Sequence, residues 1–142
     1  MKIVGFQKRI IAYLIDQLIC FGISTGIYFV LAINFPSFWG IVHIGSFFWI
    51  IVMECFIYFI LMSFTSFIFN GYTFGTLICR YKNISLKSER ISFRQTTLKY
   101  CFEMFHVAII LNCIYMLVKH NSNTIFDQLS ETIVVSTSKD IF

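Results

Sequence analysis

The chain has 142 residues, of which 58% are hydrophobic and 13% charged, with one proline and a net charge of +4. A soluble domain of this length would carry about a quarter charged residues, so the apolar side chains here must face something other than water. The composition excludes a soluble domain and points to an integral membrane protein.

The N-terminal segment carries Lys2, Lys8 and Arg9 and no acid. A first apolar run follows from Ile10 to Ile33, with Asp16 as its only charge. It is too long for a signal-peptide core, and no small-residue cleavage site follows, so it reads as a retained span. Arg9 and Asp16 are seven residues apart, which returns them to within about 20° of one helix face and about 10 Å apart along the axis. Ala12 lies between them on that face and lets a neighbouring backbone approach closely. Asp16 is the deepest charge sharing a face with a basic residue, which makes it the expected centre of the span. Gly22 and Gly26 form a GxxxG pair, a frequent pattern that offers a helix contact. Asn34, Phe35, Pro36 and Ser37 then break the helix.

The second run extends from about Gly40 to the stop signal Asn70–Gly71. On a helical wheel His43, Phe47, Glu54, Tyr58, Leu61 and Thr65 share one face. Four of these six, His43, Glu54, Tyr58 and Thr65, are polar, and intramembrane acids are expensive enough to demand a partner or a wet cavity. The stripe is expected either to border a polar pathway, turned toward Asp16, or to serve as a hydrogen-bonded helix contact. The loop Asn70–Lys99 holds GYTFG and six basic residues, Arg80, Lys82, Lys87, Arg90, Arg94 and Lys99, against Glu89 alone. It lacks regularly spaced aromatic residues and lies between two spans, so anionic lipid headgroups and topology explain its charge, and nucleic acid is not an expected partner.

Ser92 is placed to cap a helix starting at Phe93, amphipathic at first and apolar from Tyr100 to Val118. Glu103 and His106 stand at Glu-x-x-His spacing, but one such motif falls short of the set that di-iron bundles use, so no metal site is expected. His120 to Asn123 end the run, and TIVV near the terminus is a short β-prone tetrad. The five cysteines form no CxxC pair and read as reduced, inert thiols. No nucleophile elbow, HExxH or phosphate loop is present, so neither enzymatic activity nor a cofactor is expected.

Three segments of the chain now align with a known pattern: GFQKRIIAYLID at the mouth of the first span, GYTFG after the second and FDQLSETIVV after the third. The arrangement resembles the RDD family of small bacterial membrane proteins, from Gly5 to about Val135. The resemblance implies that the signature arginine and two aspartates are Arg9, Asp16 and Asp127. It also implies motif roles for Gly71, Thr73 and Gly75 in the loop and Thr132 in the tail. Thr76 and Arg80 stand where the family usually has lysine and glycine, and Glu131 where its tail usually has glycine. Family members are taken to act in transport of undefined ligands, and some resemble sodium/proton antiporters.

The expected fold is an all-α integral membrane bundle of about three transmembrane helices in one domain, residues 5–135, followed by a short tail, 136–142. Three helices enclose little space, so transport would require a homo-oligomer or a partner membrane protein in the bilayer. The rival expectation is a non-transporting scaffold whose buried charges lock the helices. If residues 93–118 cross the membrane, Asp127 lies on the far side from Arg9 and must use Lys119 or a backbone N–H. If they dip and return, Asp127 meets Arg9. Asp127 contacts a basic group or a backbone donor in both cases.

The positive-inside rule places the N-terminus and the 70–99 loop in the cytoplasm of a bacterial cell and the uncharged Asn34–Gly40 connection outside. A cysteine introduced at Ser88 in a cysteine-free background is therefore expected to resist an impermeant thiol reagent in intact cells. Selective labelling from outside would overturn this topology.

Overall fold

Helix α1 (Phe6–Asn34) turns its small and polar side inward. Its buried residues are Ala12, Asp16, Cys20, Ser24, Tyr28 and Ala32, each four positions after the last, so they form one stripe. The large apolar residues point outward, with Leu18 72% exposed and Ile33 74% exposed. A helix in a water-soluble core would show the reverse, so this outer face suits hydrocarbon. The computed structural model describes residues 4–35, 45–88, 90–119 and 124–137.

Helix α2 (Ser46–Ile68) packs along α1 and buries Glu54, Tyr58, Met62, Ser63 and Ser66 while exposing Phe56, Ile60 and Phe64. These two helices are long and apolar enough to cross a membrane. Two buried clusters lie beside α1. One joins Cys20, Tyr58, Met62 and Tyr100, and the other joins Val4, Ala12, Tyr81 and Val134.

After α2 the chain turns where the sequence signals a stop. Gly71 has φ +99°, and its N–H donates to the Ser66 carbonyl at 2.6 Å. A Cβ at Gly71 would collide with the Asn83 carbonyl, so glycine is required there. Thr73 and Thr76 then form a reciprocal cap that opens the short helix α3 (Phe74–Ile78). Strand β1 (Tyr81–Ser85) follows. Ser92 caps α4 (Phe93–Glu103) together with Gln95, at the position expected from sequence. Helix α5 (His106–Lys119) comes next. Thr124 and Asp127 form a third reciprocal cap at the start of α6 (Ile125–Leu129). Strand β2 (Thr132–Ser136) pairs antiparallel with β1, from Tyr81 opposite Ser136 to Ser85 opposite Thr132.

This structure corrects the sequence reading in one place and separates two alternatives in another. The chain is mostly helical but not all-α, because the basic loop supplies β1 and the tail supplies β2. The third apolar run is not one straight span. It breaks between Glu103 and His106, where Met104 N–H still reaches the Tyr100 carbonyl at 2.9 Å and Phe105 N–H the Phe102 carbonyl at 3.4 Å. With β2 hydrogen-bonded to β1, the tail lies on the same side as the loop. Residues 93–118 therefore form two helices, α4 and α5, that leave from the sheet side of the molecule and return to it. Gly22 and Gly26 make no close packing inside the chain, since a Cβ on either would meet nothing within 4 Å. The connection over residues 36–44, including His43, lies outside the described residues.

Arg80 and Glu131, two of the departures from the resembled pattern, have φ of 56° and 53°. A left-handed backbone costs a residue with a Cβ about 1–2 kcal/mol relative to glycine. The exposed Lys87–Glu131 ion pair, 2.7 Å, offsets little of this. Arg80→Gly and Glu131→Gly are each expected to stabilise the protein by about 0.5–1 kcal/mol, after allowing for the greater chain entropy of glycine when unfolded. Detergent-titration unfolding measures this, and a loss of stability in both variants would count against strain at these positions.

Candidate functional site

Asp127 stands in the first turn of α6, where its side chain serves the Thr124 cap. Its carboxylate accepts from Thr124 N–H at 3.1 Å, while its own N–H donates to Thr124 Oγ1 at 2.9 Å. Two cations converge on the same carboxylate. Arg9 Nη1, from the first turn of α1, donates to Oδ2 at 2.6 Å, and Lys99 Nζ, from α4, donates to Oδ1 at 2.6 Å. Asp127 is 1% exposed, and the Lys99 side chain is 6% exposed. Burial pushes the Asp127 carboxyl up, but Lys99 and Arg9 outweigh it and hold the group at about 2. Lys99 also donates to Asn83 Oδ1 at 2.7 Å, and Asn83 Nδ2 donates to the Tyr100 hydroxyl at 3.1 Å. One network therefore ties α1, β1, α4 and α6 together.

Asp16 takes a different set of donors. Thr73 Oγ1 donates to Oδ2 and Gly75 N–H to Oδ1, both at 2.7 Å. The GYTFG segment thus folds its turn onto the aspartate. A Cβ at Gly75 would collide with the Ala12 carbonyl, so α3 rests directly on the α1 backbone at the small residue between Arg9 and Asp16. The face shared by Arg9 and Asp16 is real, but they do not pair with each other. Arg9 turns to Asp127, and Asp16 turns to the loop. Thr132 is buried opposite Ser85 in the sheet and bonds the Ser130 hydroxyl at 2.9 Å.

The expected polar stripe on α2 divides. Tyr58 is buried between Tyr13 and Tyr100 and donates to Glu103 Oε2 at 3.3 Å. Glu54 is buried and lines a separate cleft with Gln17, Leu18 and Phe21 of α1. Thr65 Oγ1 donates to the Leu61 carbonyl of its own helix. Glu103 ends α4 and His106 begins α5, so the helix breaks between them. Among the described residues no group of three metal-ligating side chains comes together. All five cysteines are free thiols, with Cys20 buried and the others partly so.

Arg9, Asp16 and Asp127 all line one cavity of about 260 Å³, with Lys99, Glu103 and Asn112. Sequence reading missed Lys99, Asn83 and Asn112. Lys99 had a signal: Thr96, Lys99, Tyr100 and Glu103 repeat at helical spacing just as the third run turns apolar. Asn112 Oδ1 accepts from Ile125 N–H at 3.0 Å and so holds the start of α6 over the cavity. Asn112 and Asn83 carried no such pattern.

The model of the RDD family matches residues 3–131, nearly the whole chain. No curated protein and no solved structure matches it.

Asp127→Asn keeps the shape of the side chain but leaves Arg9 and Lys99 buried without their counter-charge. It is expected to destabilise the protein by about 3–5 kcal/mol. Because the Asp127 carboxyl is lowered from 3.8 to about 2, its contribution is complete above pH 4 and is lost as pH falls through 2. That contribution is about 2 kcal/mol. Unfolding measured between pH 2 and 5 should show this loss in the wild type and not in Asp127→Asn. Equal acid sensitivity in both would sink the assignment.

Proposed function

The chain belongs to the RDD family, and on that footing we propose that it is a multi-pass protein of the bacterial cell membrane that contributes to the movement of an ion or small solute. The observation that carries this reading is the convergence of five acidic or basic side chains, Arg9, Asp16, Lys99, Glu103 and Asp127, on one cavity beside two helices long and apolar enough to cross a membrane. Ionisable groups at membrane depth are rare because they are expensive, and they gather where a polar ligand passes. Two spans and a helical pair enclose too little for a complete pathway, so the working form is a homo-oligomer or a complex with another membrane protein. The reading includes a cytoplasmic N-terminus and no enzymatic chemistry.

One observation favours the rival, a scaffold that moves nothing. Asp127 and Asp16 are already satisfied by protein donors, as a pair of structural staples would be. Glu103 separates the two readings, because it lines the cavity but stands outside the Arg9–Lys99–Asp127 cluster.

In reconstituted vesicles, the wild type is expected to pass a monovalent cation or a small organic solute. Glu103→Gln is expected to cut that flux by about tenfold, equivalent to 1.4 kcal/mol, with assembly unchanged. Asp16→Asn should impair flux and assembly together, because Thr73 and Gly75 hold the carboxylate. Normal assembly with no flux in the wild type, over a panel of sodium, potassium, protons and small carboxylates, would leave the scaffold.

A further inference from the structure

We propose that the cavity between α1 and α5 is a side-entry seat for the phosphate headgroup of a membrane lipid. Both helices line the cavity, and among the described residues few close backbone approaches join them. The side of entry is therefore the flank between them, where α1 and α5 turn apolar side chains outward. Ile10, Leu14, Ile109 and Cys113 border the gap, and the exposed Ile110 and Ile114 continue the apolar surface outside it. A water-borne solute would meet hydrocarbon at this opening, whereas a lipid is already there.

The polar end of the cavity fits a phosphate. Arg9 and Lys99 are two cations sharing the single carboxylate of Asp127. Arg9 uses Nη1 for that contact, and its Nε and Nη2 have no hydrogen-bond partner among the described residues. Those two N–H groups are the side-on fork with which a guanidinium grips two oxygens of a phosphate or carboxylate. They are closed off from solvent, so the headgroup meets them through a small rotation of the guanidinium about its Asp127 bond. A buried donor left without an acceptor is costly, which favours that rotation. Asp16 and Glu103 also line the cavity, but Thr73, Gly75 and Tyr58 already donate to them. Asp16 lies about 10 Å further along α1 than Arg9, so the charges nearest the headgroup level are Arg9 and Lys99.

Size limits what enters. A cavity of about 260 Å³ takes a headgroup and glycerol but not two acyl chains. The chains then stay in the bilayer against Leu14, Ile110 and Ile114. This seat does not rest on the flux reading, since a lipid held there would brace a scaffold equally well.

Native mass spectrometry of the full chain, released from nanodiscs of mixed phosphatidylglycerol and phosphatidylethanolamine, tests the seat. The wild type is expected to retain bound phospholipid. Ile109→Trp fills the gap without touching the ion cluster and should lower lipid occupancy by about tenfold, equivalent to 1.4 kcal/mol. Leu111→Trp, on the exposed face of the same helix, should retain lipid as the wild type does. If Ile109→Trp fails to fold by circular dichroism, Cys113→Phe takes its place. A wild type that carries no lipid, or a folded gap-filled variant that keeps it, overturns the proposal. Displacement of the lipid by millimolar inorganic phosphate or glycerol phosphate also overturns it, by assigning the fork to a free anion. A protein that moves no solute but loses its lipid in the gap-filled variant keeps this inference and ends the transport reading.

Discussion

A carboxylate that is 1% exposed stays ionised only if something replaces the water it has lost, and Asp127 has two cations and a backbone N–H doing so. The desolvation cost of each ion in such a cluster is several kcal/mol, recovered only with close geometry and satisfied lone pairs. The distances near 2.6 Å meet that condition for Asp127 and for Lys99, which has Asn83 as a further acceptor. Arg9 meets it on one side only. The cluster joins the first turn of α1, the first turn of α6 and helix α4, with β1 tied in through Asn83. Removing one partner would expose the others to the full desolvation cost, so these elements are coupled more tightly than their packing alone would make them.

Around that cluster the protein is built from small and polar contacts, because apolar surface gives little attraction between helices already solvated by hydrocarbon. The buried stripe of α1 has alanine, serine, cysteine and aspartate among its six members. At Ala12 the backbone itself becomes the contact surface, and Gly75 lets α3 sit on it. This close approach brings Thr73 Oγ1 and the Gly75 N–H within reach of Asp16. A larger residue at position 75 would push α3 away and leave an aspartate with neither donor nor water. The motif glycine and the signature aspartate are thus one structural device.

How much of this was legible in the sequence depends on the range of the interaction. The two apolar helices were readable because a run of about 20 apolar residues admits few other fates. The Ser92 cap and the Asn70–Gly71 stop were readable because each acts within a turn of its own residue. The Arg9–Asp127 contact links residues 118 positions apart. The resemblance put both in one signature, but charge counting over simple spans placed them on opposite sides. β1 went unseen because its five residues alternate burial without an apolar alternation: Tyr81, Asn83 and Ser85 face inward, and lysine and isoleucine occupy the other face. Only the partner strand makes that pattern sensible. The α2 stripe divides for a different reason. Its periodicity is genuine, but Tyr58 reaches Glu103 on α4, Glu54 lines a cleft with α1 and Thr65 bonds its own helix, and a helical wheel cannot distinguish these surroundings.

The break in the third apolar run follows from comparing two costs. A continuous helix over residues 93–118 would be about 39 Å long and would deliver Asp127 to the far side of the membrane. Arg9, Lys99 and Asp127 would then each need another partner, at about 3–5 kcal/mol for every buried charge left uncompensated. Bending the chain at Met104–Phe105 costs far less, because the turn keeps its hydrogen bonds to the Tyr100 and Phe102 carbonyls and Ile109 N–H reaches the Phe105 carbonyl at 3.3 Å. Phe102 also stacks on Phe126 at 5.6 Å across the returning segment, an apolar contact that a straight helix could not make. The apolar character of residues 100–118 would fit a straight helix as well as a broken one. Which form the chain takes is decided by the charges at their two ends, and Lys99 and Asp127 meet in one cluster.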